Sequence, residues 1–287
     1  MNSALSSERR GALQVAGAAL LWSAGGLGIK AVAEPALKVA FYRSAFAAVA
    51  LVLLFRPNRL PRRTFLLSAI ASYAACLITF VIATKWTTAA NAIFLQYTGV
   101  VWVLIAAPVL LHEARRRADT VAVGAALCGM ALFFVGKLET RSLAGDLMAL
   151  LSSLLFAFLV ISLRRERGEG AEAVVTFGNV LAAASLLPFV ASDLSLSGRS
   201  LAWLLFLGLF QLAGAYALFV RGIRHVPATR ASLIGMLEPV ANPVWVLLFL
   251  GERPSPFAMA GGGIVLAAVA WRTLAQGPPA AEAAPPD

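Results

Sequence analysis

Apolar residues run along this chain in long blocks, and polar residues gather in short breaks between them. A helix needs about 20 such residues to cross a bilayer. Setting runs against breaks predicts ten spans, over 11–30, 38–55, 65–83, 89–111, 119–136, 144–163, 173–191, 200–220, 230–250 and 256–274. After Gly277 the sequence PPAAEAAPPD cannot bury apolar surface, and a disordered tail is expected over 277–287.

One block stands out. Leu233–Glu252 is almost wholly apolar, yet it carries Glu238, Pro239, Asn242 and Pro243 near its middle. Lipid tolerates such groups poorly, so something other than lipid must face them. The block has a twin. Shifted by 139 positions, Ala92–Glu113 lies without a gap on Ala231–Glu252, with Val101 on Val240, Leu111 on Leu250 and Glu113 on Glu252. Both copies run from a basic, small-residue entry through a long apolar span to a glutamate. A chain that repeats its own hydropathy about its midpoint is the trace of a duplicated membrane bundle. Five spans per half is an odd number, so the second half must enter from the opposite side. The expected fold is all-α: ten transmembrane helices as an inverted 5+5 structural repeat, with halves 1–137 and 138–276.

Composition agrees. Of 287 residues, 60% are hydrophobic and 13% charged, against about 25% charged in soluble domains. A net charge of +10 would suggest nucleic acid in a soluble protein, but here the charges sit in short loops, so the partners expected are a lipid bilayer and a small molecule, not nucleic acid. With a cytoplasmic N-terminus, sixteen of the 24 Lys and Arg fall on the cytoplasmic side, seven on the outer side, and Arg43 inside a span. This bias predicts a bacterial inner-membrane protein with both termini cytoplasmic. The first apolar run exceeds a signal-peptide core and is expected to remain as span 1. Cys76 and Cys128 lie within apolar segments and read as small buried hydrophobes rather than a disulfide.

Several short pieces, in order, carry a resemblance. They are Leu21-Trp22-Ser23, Phe41-Tyr42-Arg43, the run Asn91 to Tyr97 leading to Glu113, Gly145-Asp146-Leu147, and Leu237-Glu238-Pro239 leading to Gly251-Glu252. As a set they resemble the EamA-type ten-span members of the drug/metabolite transporter superfamily. The chain is also similar to the bacterial amino-acid exporters, including the aromatic amino-acid exporter group. The resemblance implies small-molecule transport and close packing of spans 5 and 10. Two positions depart from the family pattern. Val100 stands where a proline is usual, and span 6 lacks a tryptophan near Leu154.

Glu238 reads either as a contact for a substrate ammonium or a coupling proton, or as a structural acceptor beside the kink at Pro239. Arg43 suits a substrate carboxylate, or a structural pair with a carbonyl or acid. Together the two could recognise a zwitterion if they face one cavity. Asn242 shares a helix face with Glu238 if the helix persists. Trp22, Ser23, Gln96, Tyr97, Trp102 and Tyr216 are further candidates for lining a solute pocket, or else belong to packing or the interfacial belt. Glu113 and Glu252 are expected to pair with Arg115–Arg117 and Arg253. Gly124, Ala125 and Gly129 in span 5, with Gly261-Gly262-Gly263 in span 10, suit close helix approach, and the triple glycine alternatively a hinge.

The chain has no GxxxxGK[ST] loop for nucleotide. Its two histidines, His112 and His225, sit at span ends, with no acid or thiol cluster for a metal or a triad, so neither enzyme nor cofactor is expected. The reading is a secondary transporter that exports small organic metabolites, most naturally amino acids, by alternating access as a monomer. The alternatives are a gated channel or passive pore, or a carrier for another metabolite or drug.

Overall fold

The computed structural model describes residues 2–57, 64–114, 116–136, 142–166, 169–241 and 255–274. Among these residues every regular element is helical and none is a strand. In chain order they are α1 (Asn2–Trp22), α2 (Gly25–Ala31), α3 (Ala36–Phe55), α4 (Thr64–Trp86), α5 (Ala89–Tyr97), α6 (Gly99–Leu110), α7 (Arg117–Phe133), α8 (Leu143–Glu166), α9 (Glu169–Val190) and α10 (Gly198–Phe206). A π-helical segment (Leu207–Gly214) then leads into α11 (Ala215–Ile223), α12 (Ala228–Gly235) and α13 (Pro256–Leu274).

Among the described residues eight helical stretches are long and apolar enough to cross a membrane. Each coincides with a predicted span. The fifth prediction corresponds to α7, which at 17 residues is shorter than these. The ninth is described only as far as 241, so Asn242 and Glu252 lie outside the described residues, as does the 277–287 tail.

The surface is that of a protein in lipid. Leu13, Leu53, Val109, Phe189 and Leu274 all point outward, while Arg43, Asn179, Gln211 and Glu238 are buried. Satisfying polar groups inside and presenting hydrocarbon outside is what a bilayer demands. Cys76 follows the expectation of burial; Cys128 does not, because it lies on the outward face of α7, and both thiols are free.

The main packing pairs are α4 on α8, α1 on α11, α3 on α9, and α7 on α13. Two glycines allow the last. A Cβ on Gly261 would run into the backbone of Gly129 and Phe133, and one on Gly129 would lie 2.8 Å from Gly261 O. Gly124 and Gly263, expected to share this role, face open space instead.

Polar contacts close the bundle at two rims. At one, Glu113 accepts from Arg164 Nε at 2.6 Å through one oxygen and from Ala228 N at 2.9 Å through the other. Arg164 also donates to the carbonyls of Ile223 and Arg224. Arg224–Glu172, Arg230–Glu8 and Arg272–Asp119 are further ion pairs, each between residues far apart in sequence. Glu113 thus makes structural contacts, as expected, and they reach beyond the adjacent arginines to Arg164 and the start of α12. Its second oxygen satisfies a donor that no helix bond can reach.

At the other rim Asp146 accepts from Thr87 Oγ1 at 2.8 Å and Asn91 Nδ2 at 3.1 Å. Lys30 donates to Thr87 O and Lys85 to Val32 O. Lys38 pairs with Glu34 at 3.1 Å and with Asp193 at 2.9 Å, while Tyr42 donates to Leu194 O at 2.6 Å. Hydrogen bonds from Ser195 and Lys38 hold the Asp193 carboxyl down to about 2.

Candidate functional site

Three of the long helical stretches and the ninth predicted span are interrupted, and the interruptions meet. The first stretch breaks between Trp22 and Gly25, the fourth at Thr98, and the seventh loosens into the π segment. The ninth predicted span breaks at Met236. Each has a local cause. Pro239 has no N–H, so it leaves the carbonyl four residues earlier, Gly235 O, without its helix donor. Tyr97 Oη fills that place at 2.8 Å. The fourth stretch breaks without a proline. Thr98 Oγ1 bonds back to Leu95 O at 2.6 Å, and Gly99 packs so tightly on α8 that a Cβ there would lie 2.8 Å from Ser153 O. Broken helices at membrane depth are tolerated where they border a protein-lined cavity.

A cavity lies at this meeting point. Its polar lining is Arg43, Gln96, Tyr97, Gln211, Glu238 and Cys76. Its apolar wall is Trp22, Leu77, Phe80, Phe156, Leu212 and Tyr216. The space is about 40 Å³, room for a few waters. A larger solute must therefore displace side chains or meet a wider state.

The charged groups are held by neutral partners. Gln211 Oε1 accepts from Arg43 Nε at 3.2 Å and Nη2 at 2.8 Å. Arg43 Nη1 is buried without a partner. Gln211 Nε2 donates to Trp22 O at 3.3 Å, at the first helix break. Glu238 Oε2 lies 2.6 Å from Tyr97 Oη. Tyr97 has one hydroxyl proton and two acceptors within reach. A proton on Glu238 satisfies both contacts, with Glu238 donating to Tyr97 and Tyr97 to Gly235 O.

The remaining lining is ordered by contacts of its own. Gln96 Nε2 donates to Ser152 Oγ at 2.9 Å, and Cys76 Sγ lies 3.6 Å from the same oxygen. Trp22 meets Tyr216 edge-on at 5.0 Å between centroids and Phe156 at 6.1 Å. Tyr216 meets Tyr73 at 4.8 Å. Such aromatic pairs fix ring orientation beyond what burial alone provides.

Six of the nine sequence-predicted residues therefore line one cavity: Trp22, Arg43, Gln96, Tyr97, Tyr216 and Glu238. Ser23 is buried beside it and bonds back to Leu20 O. Trp102 is 45% exposed on α6, on the apolar surface. Asn242 lies outside the described residues. Gln211 escaped the sequence reading, as did Cys76 and Phe156. The signal for Gln211 was an amide in an otherwise apolar block, LLFLGLFQLAGAY. Among the described residues no group of three His, Cys, Asp or Glu is placed to hold a metal ion.

Apolar exterior, interrupted helices and a buried polar cavity define a helical membrane protein of the transporter class. The sequence model of the EamA-like transporter family matches residues 9–135 and 143–274, and the chain belongs to that family. An uncharacterized transporter of Archaeoglobus fulgidus is 27% identical over 250 residues, covering 85% of this chain and 90% of its own. The uncharacterized transporter YwfM of Bacillus subtilis is 30% identical over 162 residues, 55% of each chain. The threonine/homoserine exporter RhtA of Escherichia coli is 26% identical over 245 residues, 81% of this chain and 80% of its own. A solved structure with 16% identity superimposes with a TM-score of 0.78 over 92% of this chain and 96% of that one, a likeness of fold alone.

Proposed function

We propose that this protein is a secondary transporter of the bacterial inner membrane that exports amino acids or closely similar metabolites by alternating access, with the cavity as its solute site. The observation that carries the reading is that Arg43 and Glu238 line one buried cavity, each held by a neutral partner. Opposite charges that share a cavity without touching are only partly compensated, and burying them so is costly. A zwitterion supplies a carboxylate to one and an ammonium to the other. Similarity to a threonine/homoserine exporter supports the same class.

In this reading the chain has ten spans in two inverted halves, 1–137 and 138–276. The two stretches matched by the family model, one in each proposed half, support it. So do the packing pairs. Exchanging the halves turns α4 on α8 into α11 on α1, while α3 on α9 and α7 on α13 exchange within themselves. Related halves of opposite orientation can adopt two nearly equivalent arrangements, one open to each side. Both termini are cytoplasmic, which puts the arginine-rich rim inside. Glu238 holds either a solute ammonium or a proton, never both, which links export to proton entry. In this reading the working unit is a monomer.

The test is counterflow into proteoliposomes preloaded with single unlabelled amino acids, threonine first. A carrier gives saturable uptake of labelled solute that depends on the preloaded partner. Flux rising linearly with concentration, or exchange of no amino acid, overturns the reading in favour of a pore or of another solute. Arg43→Ala removes exchange while leaving the protein folded. Exchange that survives it excludes Arg43 as the carboxylate site.

A further inference from the structure

The π segment presents a residue that the cavity's chemistry requires. A guanidinium has two planar edges, each able to bind a two-oxygen acceptor: Nε with Nη2, and Nη1 with Nη2. Gln211 Oε1 occupies the first edge of Arg43 through both of its N–H groups. Nη1 is left buried and unpartnered, and Arg43, itself 4% exposed, is among the residues that line the cavity. Among the described residues the Nη1 end of the second edge thus makes no hydrogen bond to the protein, and a solute carboxylate reaches it once the side chains packed over it give way.

The amide's orientation is not ambiguous. Arginine only donates, so the glutamine oxygen must face it, and the glutamine N–H then reaches Trp22 O. Close packing keeps it there. A Cβ on Gly25 would lie 2.6 Å from Gln211 Nε2, and one on Gly208 would lie 3.0 Å from Arg43 O. A π segment inserted in a long helix often marks a functional site, because it redirects side chains that a regular helix would aim elsewhere.

We propose that Gln211 is the positioning and specificity residue of a carboxylate half-site. By filling the Nε/Nη2 edge of Arg43 it reserves the Nη1/Nη2 edge for a planar carboxylate of the solute. Being neutral, it orients the arginine without consuming its charge. A glutamate at this position would bond Arg43 in the same way but neutralise it, and the cavity would then select amines without carboxylates. This deepens the amino-acid reading and rests on it.

The experiment compares L-threonine with its carboxamide, which keeps the ammonium and loses the anion, as competitors of labelled threonine in proteoliposome counterflow by the full chain. Wild type prefers the acid. Gln211→Glu raises the half-inhibiting concentration of threonine about tenfold or more, the effect of losing one charge-assisted contact, and leaves that of the amide within about twofold. Gln211→Met keeps shape and burial but removes the acceptor, and it also reduces the acid preference. Thermal unfolding of both variants in detergent is read alongside. The inference is overturned if either folded variant keeps the wild-type acid-to-amide ratio, or loses acid and amide equally. Should Gln211→Glu fail to fold, Gln211→Met decides alone. If wild type exchanges no amino acid, the parent reading fails and this one falls with it. If wild type exchanges threonine but the ratio is insensitive to Gln211, only this inference fails.

Discussion

Glu238→Gln isolates charge from shape. Glu238 is 7% exposed, and the side chain bonded to it is Tyr97 at 2.6 Å. A glutamine has the same outline, and its amide can accept from Tyr97 or donate to it, so it imitates the protonated acid. The fold should therefore hold, with a stability change within about 1 kcal/mol. What is lost is the charge that meets a solute ammonium. A hydrogen bond to a charged group contributes about 1.5–3 kcal/mol, which at 1.4 kcal/mol per decade is a ten- to hundredfold rise in the half-saturating concentration. The assay is threonine counterflow at a series of pH values, with N-acetylthreonine as a control that lacks the ammonium. In wild type, proton and ammonium compete for Glu238, so the half-saturating concentration for threonine rises as pH falls. In Glu238→Gln it is high throughout and flat with pH, while competition by N-acetylthreonine is little changed. A variant within twofold of wild type that keeps the pH dependence would show that Glu238 neither binds the ammonium nor carries the proton.

Other outcomes follow from the packing and the rims. Gly261→Leu drives a side chain into the backbone of Gly129 and Phe133, and should lower stability by about 1–3 kcal/mol or more, read as a lower thermal midpoint in detergent. Gly263→Leu, on a residue facing open space, should leave it unchanged. Glu113→Ala takes the carboxylate from Arg164, whose side chain is 11% exposed and keeps its bonds to Ile223 O and Arg224 O, and uncaps Ala228, costing about 1–3 kcal/mol on the scale of a lost hydrogen bond to a charged group. Glu113→Gln should recover part of this loss, because its oxygen can still accept from Ala228 N. At the opposite rim the Asp193 carboxyl is held at about 2. A depressed carboxyl contributes above its unfolded value and loses that contribution only as pH falls through the folded one. The Lys38–Asp193 contact therefore persists across about pH 5–8, and the effect of Asp193→Asn on export should be the same at both ends of that range.

The hydropathy of the chain made the spans legible, because lipid imposes one rule along the whole length of a crossing helix. Where that rule is relaxed, the reading was less complete. Pro239 was expected as a point of interruption, and the helix breaks at Met236, three residues before it. The group that a proline deprives of its helix donor is a carbonyl, here Gly235 O. Gly235 O takes its hydrogen bond from Tyr97, a residue 138 positions earlier. The break at Thr98 carried no proline and no comparable signal, since it depends on how closely Gly99 approaches α8.

The cavity divides along the same line. Intramembrane charges and polar-tipped aromatics are rare enough that Arg43, Glu238, Tyr97 and Tyr216 could be singled out one by one. Pairings could not. Arg43 was expected to be met by a carbonyl or an acid, and an acid would have neutralised it and left no call for an anionic solute. It is met by a carbonyl, that of the Gln211 side-chain amide, because the π segment brings Gln211 to it. Neither a π turn nor its direction can be read from a run of leucine, phenylalanine and glycine. The consequence is chemical: against an acid this arginine would be a neutralised structural pair, whereas against Gln211 it keeps its charge for the solute carboxylate proposed above. On that proposal the identity of one neighbour, fixed by one irregular turn, decides between the two roles that the sequence left open for Arg43.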